Sequence, residues 1–555
     1  MYMVDTEKRV IITAALPYSE AIPHLGNFVG SILPADVFYK YSKLAGYDSI
    51  FICGSDQHGT PIEIRALKEG VEPKEFADKV HKEIKHILER FGCSFTYYGK
   101  TDSDSNKRAV YEIFNALYKN GFINKVDSVM PYCNIDKRFL TDRYIEGVCP
   151  YCGFEGARGD QCDNCGHLLN PSELIRPYCG LCHNNEIEFK KTTNLAIALD
   201  KLQPEILEFV KGRMGSWSKN AANKTISYLE QGLEAREITR DMKWGFEVPL
   251  EGYKDKVFYV WFDAVIGYIG ISMDWSDQWE QYWKGKDTKL IQFMGKDNIE
   301  FHTMMWPGIL IGSDLGYVLP HTIYAYEYLT AKGLKFSKSR GVGLNMGNAL
   351  EIAGSDYWRF ALMYLAPESS DTDFTIALFV DIVNKIMNGK IGNYVHRVLT
   401  LLKNSGLKAS ELVEDEKSMD KVAVLTRKYA EDFEALKMRE ALRELVAIAD
   451  IGNEMISSSK PWELIGKDGV KQGSEGRAKE LLGGMVSIVR RMGVLMWPFA
   501  PDASSKILKR FGISEPRLSD LEKPLKELNL EGLGPVFSKL SDKQLKELER
   551  FEEDS

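Results

Sequence analysis

No apolar run in the sequence approaches the roughly 20 residues that a membrane span needs, so no transmembrane segment is predicted. A secretory leader is lacking too. MYMVDTEKRVIIT passes into a strand-like run with no apolar leader core and no small-residue cleavage site, so secretion is not expected and a cytoplasmic location is. Strong charge of either sign is missing. The formal charge of −8 argues against a uniformly basic nucleic-acid coat, although a local basic face is compatible with it. Internal repeats are absent apart from spaced cysteine pairs. Cysteine is scarce, nine residues in 555, and six of the nine form three C-x-x-C pairs within residues 149–182. In a large chain with no leader expected, that arrangement favours metal over a disulfide framework.

What is present, 44% hydrophobic and 27% charged residues, is the composition of a globular protein long enough for three or four domains. Residues 9–60 alternate as a parallel α/β unit does: strand VIITAAL, a turn carrying HLGN, helix GSILPADVFYKYSKLAG and strand DSIFICGSD. This predicts a doubly wound parallel sheet of Rossmann type, with PYSEAIPHLGN and GSDQHGTP at the carboxyl ends of its strands, where such sheets bind ligands. PKEFADKVHKEIKHILERFG has helical spacing. From about 131 to 190 the pattern dissolves into Cys, Gly, Asp and Asn. The α/β pattern returns in KVFYVWFDAVIGYIG and KLIQFMGKDNIEFH, apolar strands ending at polar or charged residues. After about 345 strands become rare, and IVNKIMNGKIGNYVHRVLTLL, MDKVAVLTRKYAEDFEALKMREALRELVAIADIGNEMI and GRAKELLGGMVSIVRRMGVLMW read as a helix bundle. The last stretch, SKLSDKQLKELERFEEDS, is expected to be a frayed helix. The predicted division is therefore a catalytic domain split between 1–118 and 246–328, an insertion with zinc knuckles at 119–245, a loop and stem-contact region at 329–385, and an α-helical domain at 386–555.

CPYC and CDNC place Cys149, Cys152, Cys162 and Cys165 as two tight turns able to present four thiolates to one tetrahedral zinc. Cys179 and Cys182 of CGLC, with Cys133 of CNID, form a second, less complete set. Asp136 stands where the fourth cysteine would be, and His183 is its rival. Four protein ligands leave no open position, so either zinc would be structural.

Two further stretches carry chemistry. Taken alone, HLGN at a helix start reads first as a plain cap. LTAKGLKFSKSRG, residues 329–341, could be a solvated turn, but a Lys-rich loop can also close over a polyphosphate while a helix N-terminus beside HLGN offers N–H donors. Together the two motifs resemble the signatures of the class I aminoacyl-tRNA synthetases, with HLGN (His24, Leu25, Gly26, Asn27) in place of HIGH and KFSKS in place of KMSKS. AALPYSEAIPHLGN, ICGSDQHGTP, YVWFDAVIGYIG, GKDNIEFHTMMWPG, KFSKSRG, GNYVHR and SKPW extend the likeness over nearly the whole chain to the methionyl-tRNA synthetases.

That resemblance implies a two-step reaction. Methionine attacks the α-phosphorus of ATP, pyrophosphate leaves, and the adenylate esterifies the terminal adenosine of tRNA(Met). It implies ATP contacts from His24, Gly26, Asn27, Lys296, Asp297, Lys335, Ser337 and Lys338, with Mg²⁺ on the phosphates; His24, Asn27, Lys335 and Lys338 are the catalytic group. Methionine would lie among Leu16, Tyr18, Trp261, Ala264, Tyr268 and His302, its ammonium on Asp56. Asn393, Arg397 and Trp462 would read the anticodon. The chain departs from the family pattern at Asn27, Phe336, Val265 and Asn298, and Phe336 is expected to pack. One or two zinc ions are expected. So is a monomer, with room for a separate tRNA-binding partner protein.

Overall fold

The computed structural model describes residues 9–553 except 142, 143, 160, 161, 163, 166, 168, 170, 337–342, 415, 467 and 468. Seven strands organise the catalytic part: β1 (Arg9–Ala14), β2 (Asp48–Ser55), β3 (Tyr97–Lys100), β4 (Ile123–Cys133), β5 (Ile187–Ile197), β6 (Lys289–Gly295) and β7 (Pro320–Tyr326). Five of them form one sheet in the order β7-β6-β1-β2-β3, with every neighbouring pair parallel. Strand alternation sorts their side chains to two faces. Val10, Ile12, Ala14, Phe51, Cys53 and Phe293 enter one core, whereas Ile11, Ile50, Ile52, Leu290 and Met294 enter the other. Both faces are therefore covered, as a parallel sheet requires. The order reverses at β1 and β6, so the crevice beyond their carboxyl ends is the place for a ligand.

The helix after β1 begins at Leu25, passes through a π turn at Phe28–Ile32 and continues as Leu33–Ala45. Gly46, at φ 85°, ends it in the left-handed conformation that glycine adopts without strain. The first face's core runs on without a break into the bundle helices Asn393–Ser405, Met438–Ser459 and Glu475–Met496. On the other face, β4 and β5 form a long antiparallel hairpin that pairs Cys133 with Ile187 at its tip. A small three-stranded sheet, Ile145–Val148, Glu155–Arg158 and Ile175–Cys179, caps the hairpin.

Two expectations are corrected. VWFDAVIGYIG is a helix, Val260–Trp275, with only Val257–Phe258 as strand before it. The segment is apolar on all sides because it is buried on nearly all sides, and such a run carries no periodicity by which to tell helix from strand. The C-terminal stretch is a docked helix, Asp542–Glu553, rather than a frayed one. Leu548 is fully buried and Gln544 donates to the carbonyl of Ile352 at 2.8 Å. SKPW lies at a helix end: Met438–Ser459 stops at Lys460, φ 45°, and Pro461–Glu463 is a single 3₁₀ turn. Among the described residues no helix is long and apolar enough to cross a membrane.

Candidate active site

A cleft of about 1480 Å³ opens beyond the carboxyl ends of β1 and β6. HLGN forms one wall, and its helix cap is built from the motif itself. The N–H of Asn27 donates to His24 Nδ1 at 3.0 Å, and the N–H of His24 donates to Asn27 Oδ1 at 3.3 Å, a reciprocal capping box. Because Nδ1 accepts, the proton of the neutral imidazole sits on Nε2. Asn27 keeps its amide hydrogens as donors. The N–H of Leu25 is taken by the Leu344 carbonyl at 3.0 Å, so the first turn offers fewer backbone donors than a bare helix start would.

The ends of the Lys-rich loop are fixed on this same cap. Leu344 receives the Leu25 N–H, and the N–H of Met346 donates to Pro23 at 3.0 Å. Phe336, 3% exposed, tilts against the His24 ring at 5.4 Å. Its packing role is therefore as expected. A Cβ on Gly26 would come within 3.1 Å of His24 Nδ1 and 3.4 Å of Phe336 Cβ, so a side chain there would press on the ring and on Phe336. Ser337 and Lys338 lie outside the described residues; Lys335 is placed by its backbone alone, in a two-residue strand paired with Leu329–Ala331.

Lys296 and Asp297 follow β6 at the opposite wall. Lys296 is held by Glu327 at 2.7 Å and Asp371 at 2.6 Å, and these two carboxylates keep its ammonium above the ordinary lysine range against the burial that lowers it. Asp297 accepts from Asn298 Nδ2 at 3.3 Å.

Leu16, Tyr18 and Trp261 line the cleft between these walls. Trp261, Ala264 and Tyr268 are spaced three and four apart on the helix Val260–Trp275, hence on one face. Tyr18 meets Trp261 edge-on at 6.4 Å. The Tyr268 hydroxyl lies 2.9 Å from His302 Nε2, while His302 Nδ1 lies 2.9 Å from the Asn298 carbonyl. With Nδ1–H donating to that carbonyl, Nε2 accepts from tyrosine and the ring is neutral. Burial pushes the His302 imidazole down to about 4, which agrees. Ala264, Tyr268 and His302 are thus buried behind the residues that line the cleft, and the Tyr268–His302 pair is uncharged.

Asp56 directly follows β2 with 2% of its surface exposed. Backbone bonds hold it to the cleft: Ser19 N–H to the Asp56 carbonyl at 2.8 Å, and Asp56 N–H to Pro17 at 2.9 Å. Its Oδ1 accepts from the His58 N–H and the Thr101 hydroxyl, each at 3.3 Å. Burial, and the nearby Asp263 carboxylate, push its pKa well above the usual aspartate range.

The sequence reading missed several cleft residues. Phe301 stacks on Trp261 at 3.7 Å, and its neighbour His302 was the only local signal. Arg240 lines the cleft beside Tyr259, 4.0 Å from its ring centre, and nothing in ITRD marks it out.

Away from the cleft, Cys149, Cys152, Cys162 and Cys165 converge, and so do Cys133, Asp136, Cys179 and Cys182. Sulfur separations of 3.5, 3.6 and 3.9 Å are far too long for disulfides and match the edge of a tetrahedron with metal–sulfur bonds of about 2.3 Å. Asp136 Oδ2 lies 3.0 Å from Cys179 Sγ, so Asp136 and not His183 completes the second set. In the helical part, Asn393 and Arg397 are both exposed on one face of their helix, and Trp462 is 50% exposed.

A family model for class I tRNA synthetases (M) matches residues 10–399, and one for the anticodon-binding domain of methionyl-tRNA ligases matches residues 408–553. The chain is 39% identical over 561 residues to the methionine–tRNA ligase of Pyrobaculum islandicum, covering 98% of this chain and 97% of that one. The chain belongs to the methionyl-tRNA synthetase family. A probable cytoplasmic methionine–tRNA ligase of Dictyostelium discoideum is 40% identical over 528 residues, 93% of this chain and 70% of its own length. In fold it is similar to the Mycobacterium tuberculosis methionyl-tRNA synthetase solved with methionyl-adenylate, at a TM-score of 0.79 over 96% of this chain and 99% of that one, with 22% identity. Joining methionine to tRNA, driven by ATP, is the reaction of this family and of this chain.

Proposed function

We propose that both half-reactions take place in the cleft above β1 and β6, with the roles divided among its walls. The observation that carries this is the anchoring of Phe336, Leu344 and Met346, which flank the Lys-rich motif, on the HLGN cap, so that the two motifs share one wall of the cleft. ATP, as its magnesium complex, lies with its phosphates between His24 Nε2, the Asn27 amide and the loop residues Lys335, Ser337 and Lys338. Gly26, Lys296 and Asp297 border the nucleoside. The methionine ammonium pairs with Asp56, and its thioether occupies the pocket of Leu16, Tyr18, Trp261, Ala264, Tyr268 and His302, where polarizable sulfur suits aromatic walls. The carboxylate is already ionised, so attack on the α-phosphorus needs no general base; positioning and neutralisation of the leaving pyrophosphate supply the rate. A 3′-terminal ribose hydroxyl of tRNA(Met) then attacks the adenylate carbonyl and AMP leaves. We read the anticodon from Trp462 by stacking and from Asn393 and Arg397 by hydrogen bonds, within a helical domain taken as 386–555. The protein acts in the cytoplasm as a monomer, with a separate tRNA-binding protein as a compatible partner.

ATP–pyrophosphate exchange tests the reading. Exchange is expected with methionine only, and exchange driven by another amino acid or by none would overturn it. Trp462→Ala is expected to leave exchange within twofold of wild type, roughly the scatter of a distant surface change. Its kcat/KM for charging tRNA should fall about 10- to 100-fold, the worth of one base stacked on an aromatic ring.

We also propose that both knuckles hold structural zinc. The small core around Cys133, Tyr144, Cys149 and Cys179 is too slight to hold its loops unaided. Elemental analysis should find about two zinc ions per chain, as two complete four-donor sets imply. Asp136→Ala should lower that to about one, with loss of protease resistance confined to the insertion; an unchanged metal content would remove Asp136 from the ligand set.

A further inference from the structure

Beneath Asp56 lies a buried chain of charged groups that no step above uses. His58 is 1% exposed and Asp263 fully buried, on separate elements 205 residues apart. His58 Nδ1 bonds Asp263 Oδ2, and His58 Nε2 faces Asp102 Oδ1 at 3.6 Å. Asp102 in turn pairs with Lys74, beyond which lie Asp78 and Lys100. The remaining faces of the His58 ring meet the edges of Trp244 and Phe246. The groups facing it are therefore Asp263, Asp102 and, through its own N–H, Asp56. A ring with a carboxylate at each nitrogen can donate to both only as imidazolium.

We infer that His58 is a positioning residue for methionine capture: its imidazolium neutralises Asp263 beside Asp56, so that Asp56 can hold the one uncompensated negative charge that an incoming ammonium cancels. The inference rests on Asp56 being the ammonium's partner. Its charge balance is direct. Three acids, Asp56, Asp102 and Asp263, face two cations, His58 and Lys74, which leaves a single negative charge. The other oxygen of Asp263 is buried with no hydrogen-bond partner among the described residues, so His58 is the group that offsets it. Without His58, two buried carboxylates would compete for one proton, and Asp56 would be held neutral at the pH where methionine must bind. The two flanking carboxylates push the imidazole up to about 10 against burial, consistent with a fixed counter-ion.

The test is the pH profile of methionine-dependent exchange in the intact enzyme. His58→Gln should move the acid limb of kcat/KM for methionine up by about one pH unit or more and raise the methionine KM near neutral pH about tenfold, the effect of losing one charge at this range. The KM for ATP should stay within about twofold, since a charge this far from the phosphates is weakly felt. The double variant His58→Gln, Asp263→Asn removes one charge of each sign and should restore the limb. An unmoved limb in His58→Gln, an equal rise in both KM values, or a double variant worse than the single would overturn the inference. Should His58→Gln fail to fold, the imidazole nitrogen resonances of the wild-type protein decide: a doubly protonated His58 at pH 7 supports the inference, and a neutral ring sinks it. If wild-type exchange itself does not depend on methionine, the assignment of the pocket fails instead.

Discussion

Asp56→Asn is expected to abolish most methionine activation while leaving the protein at least as stable as before. The side chain is isosteric, and its Oδ1 can still accept from the His58 N–H and the Thr101 hydroxyl. Only the charge is lost. Truncating one partner of a buried, hydrogen-bonded charge pair costs about 2–5 kcal/mol, so kcat/KM for methionine should drop roughly 10²- to 10³-fold. Stability should respond in the opposite sense. The folded-state pKa of Asp56 is raised, so at pH values above the ordinary aspartate range the unfolded chain is ionised more readily than the folded one. Folding stability therefore falls as pH rises from that range through the raised value, and it stays reduced above. An amide removes that cost. The ligand-free variant should melt at or above the wild-type temperature at neutral pH, and methionine, which stabilises the wild type by mass action, should no longer raise the midpoint. A variant that keeps normal exchange, or one that loses exchange because it unfolds, would contradict the assignment of Asp56.

How much of this was legible in the sequence follows from the range of the interactions. HLGN and KFSKS could be paired because each is a compact motif; the structure adds the physical link, Leu344 and Met346 bonding back to Leu25 and Pro23. The parallel sheet was legible because its strands are short apolar runs whose residues alternate between two cores. The two cysteine sets were legible because their members fall at fixed close spacing, and even the outer set closed with Asp136 as its spacing suggested.

What escaped depends on distant partners. His58 stands in the quoted GSDQHGTP, yet nothing local says that Asp263 and Asp102 will meet its two nitrogens. The helix Val260–Trp275 escaped because burial on nearly every side erases the alternation by which helix and strand are told apart. The docking of Asp542–Glu553 escaped for the opposite reason. It is so strongly charged that Leu548, the one fully buried residue among those of its residues whose burial is described, gives little signal, and its partners lie near residues 352 and 384.

The same reasoning applies to the joint between the catalytic sheet and the helical domain, where a single substitution is expected to have the largest effect on stability. Arg359 is 0% exposed and bonds four oxygens from three parts of the chain, Asp36 at 2.6 Å, Pro498 at 2.7 Å, Phe91 at 3.2 Å and Phe499 at 3.3 Å, besides the Cys93 sulfur at 3.9 Å. Asp36 is shared with Lys40 at 2.6 Å and with the Ser94 N–H at 2.7 Å. Asp36 and Lys40 lie on the helix that HLGN begins, and one residue further Tyr41 stacks on Phe433 at 4.2 Å. Arg359→Met leaves three buried carbonyls unpaired and Asp36 with one cation fewer, a loss of about 3–5 kcal/mol. Arg359→Lys keeps the charge but not the fork that reaches four acceptors, and should recover less than about half of that. Replacing Lys385, which makes an exposed pair with Asp381, should cost under about 1 kcal/mol. Acid should reveal the same joint. The two cations hold the Asp36 carboxyl below its usual range despite burial, so its stabilisation is present above the ordinary aspartate pKa and is lost as pH falls through the depressed value. Thermal melts across pH and denaturant titrations of the three variants measure this. Because the interface holds the HLGN helix, exchange activity should disappear in step with the lowered transition. Melting of Arg359→Met within about 1 kcal/mol of wild type would mean that the apolar packing around Tyr41 and Phe433 holds the domains together without the buried ions.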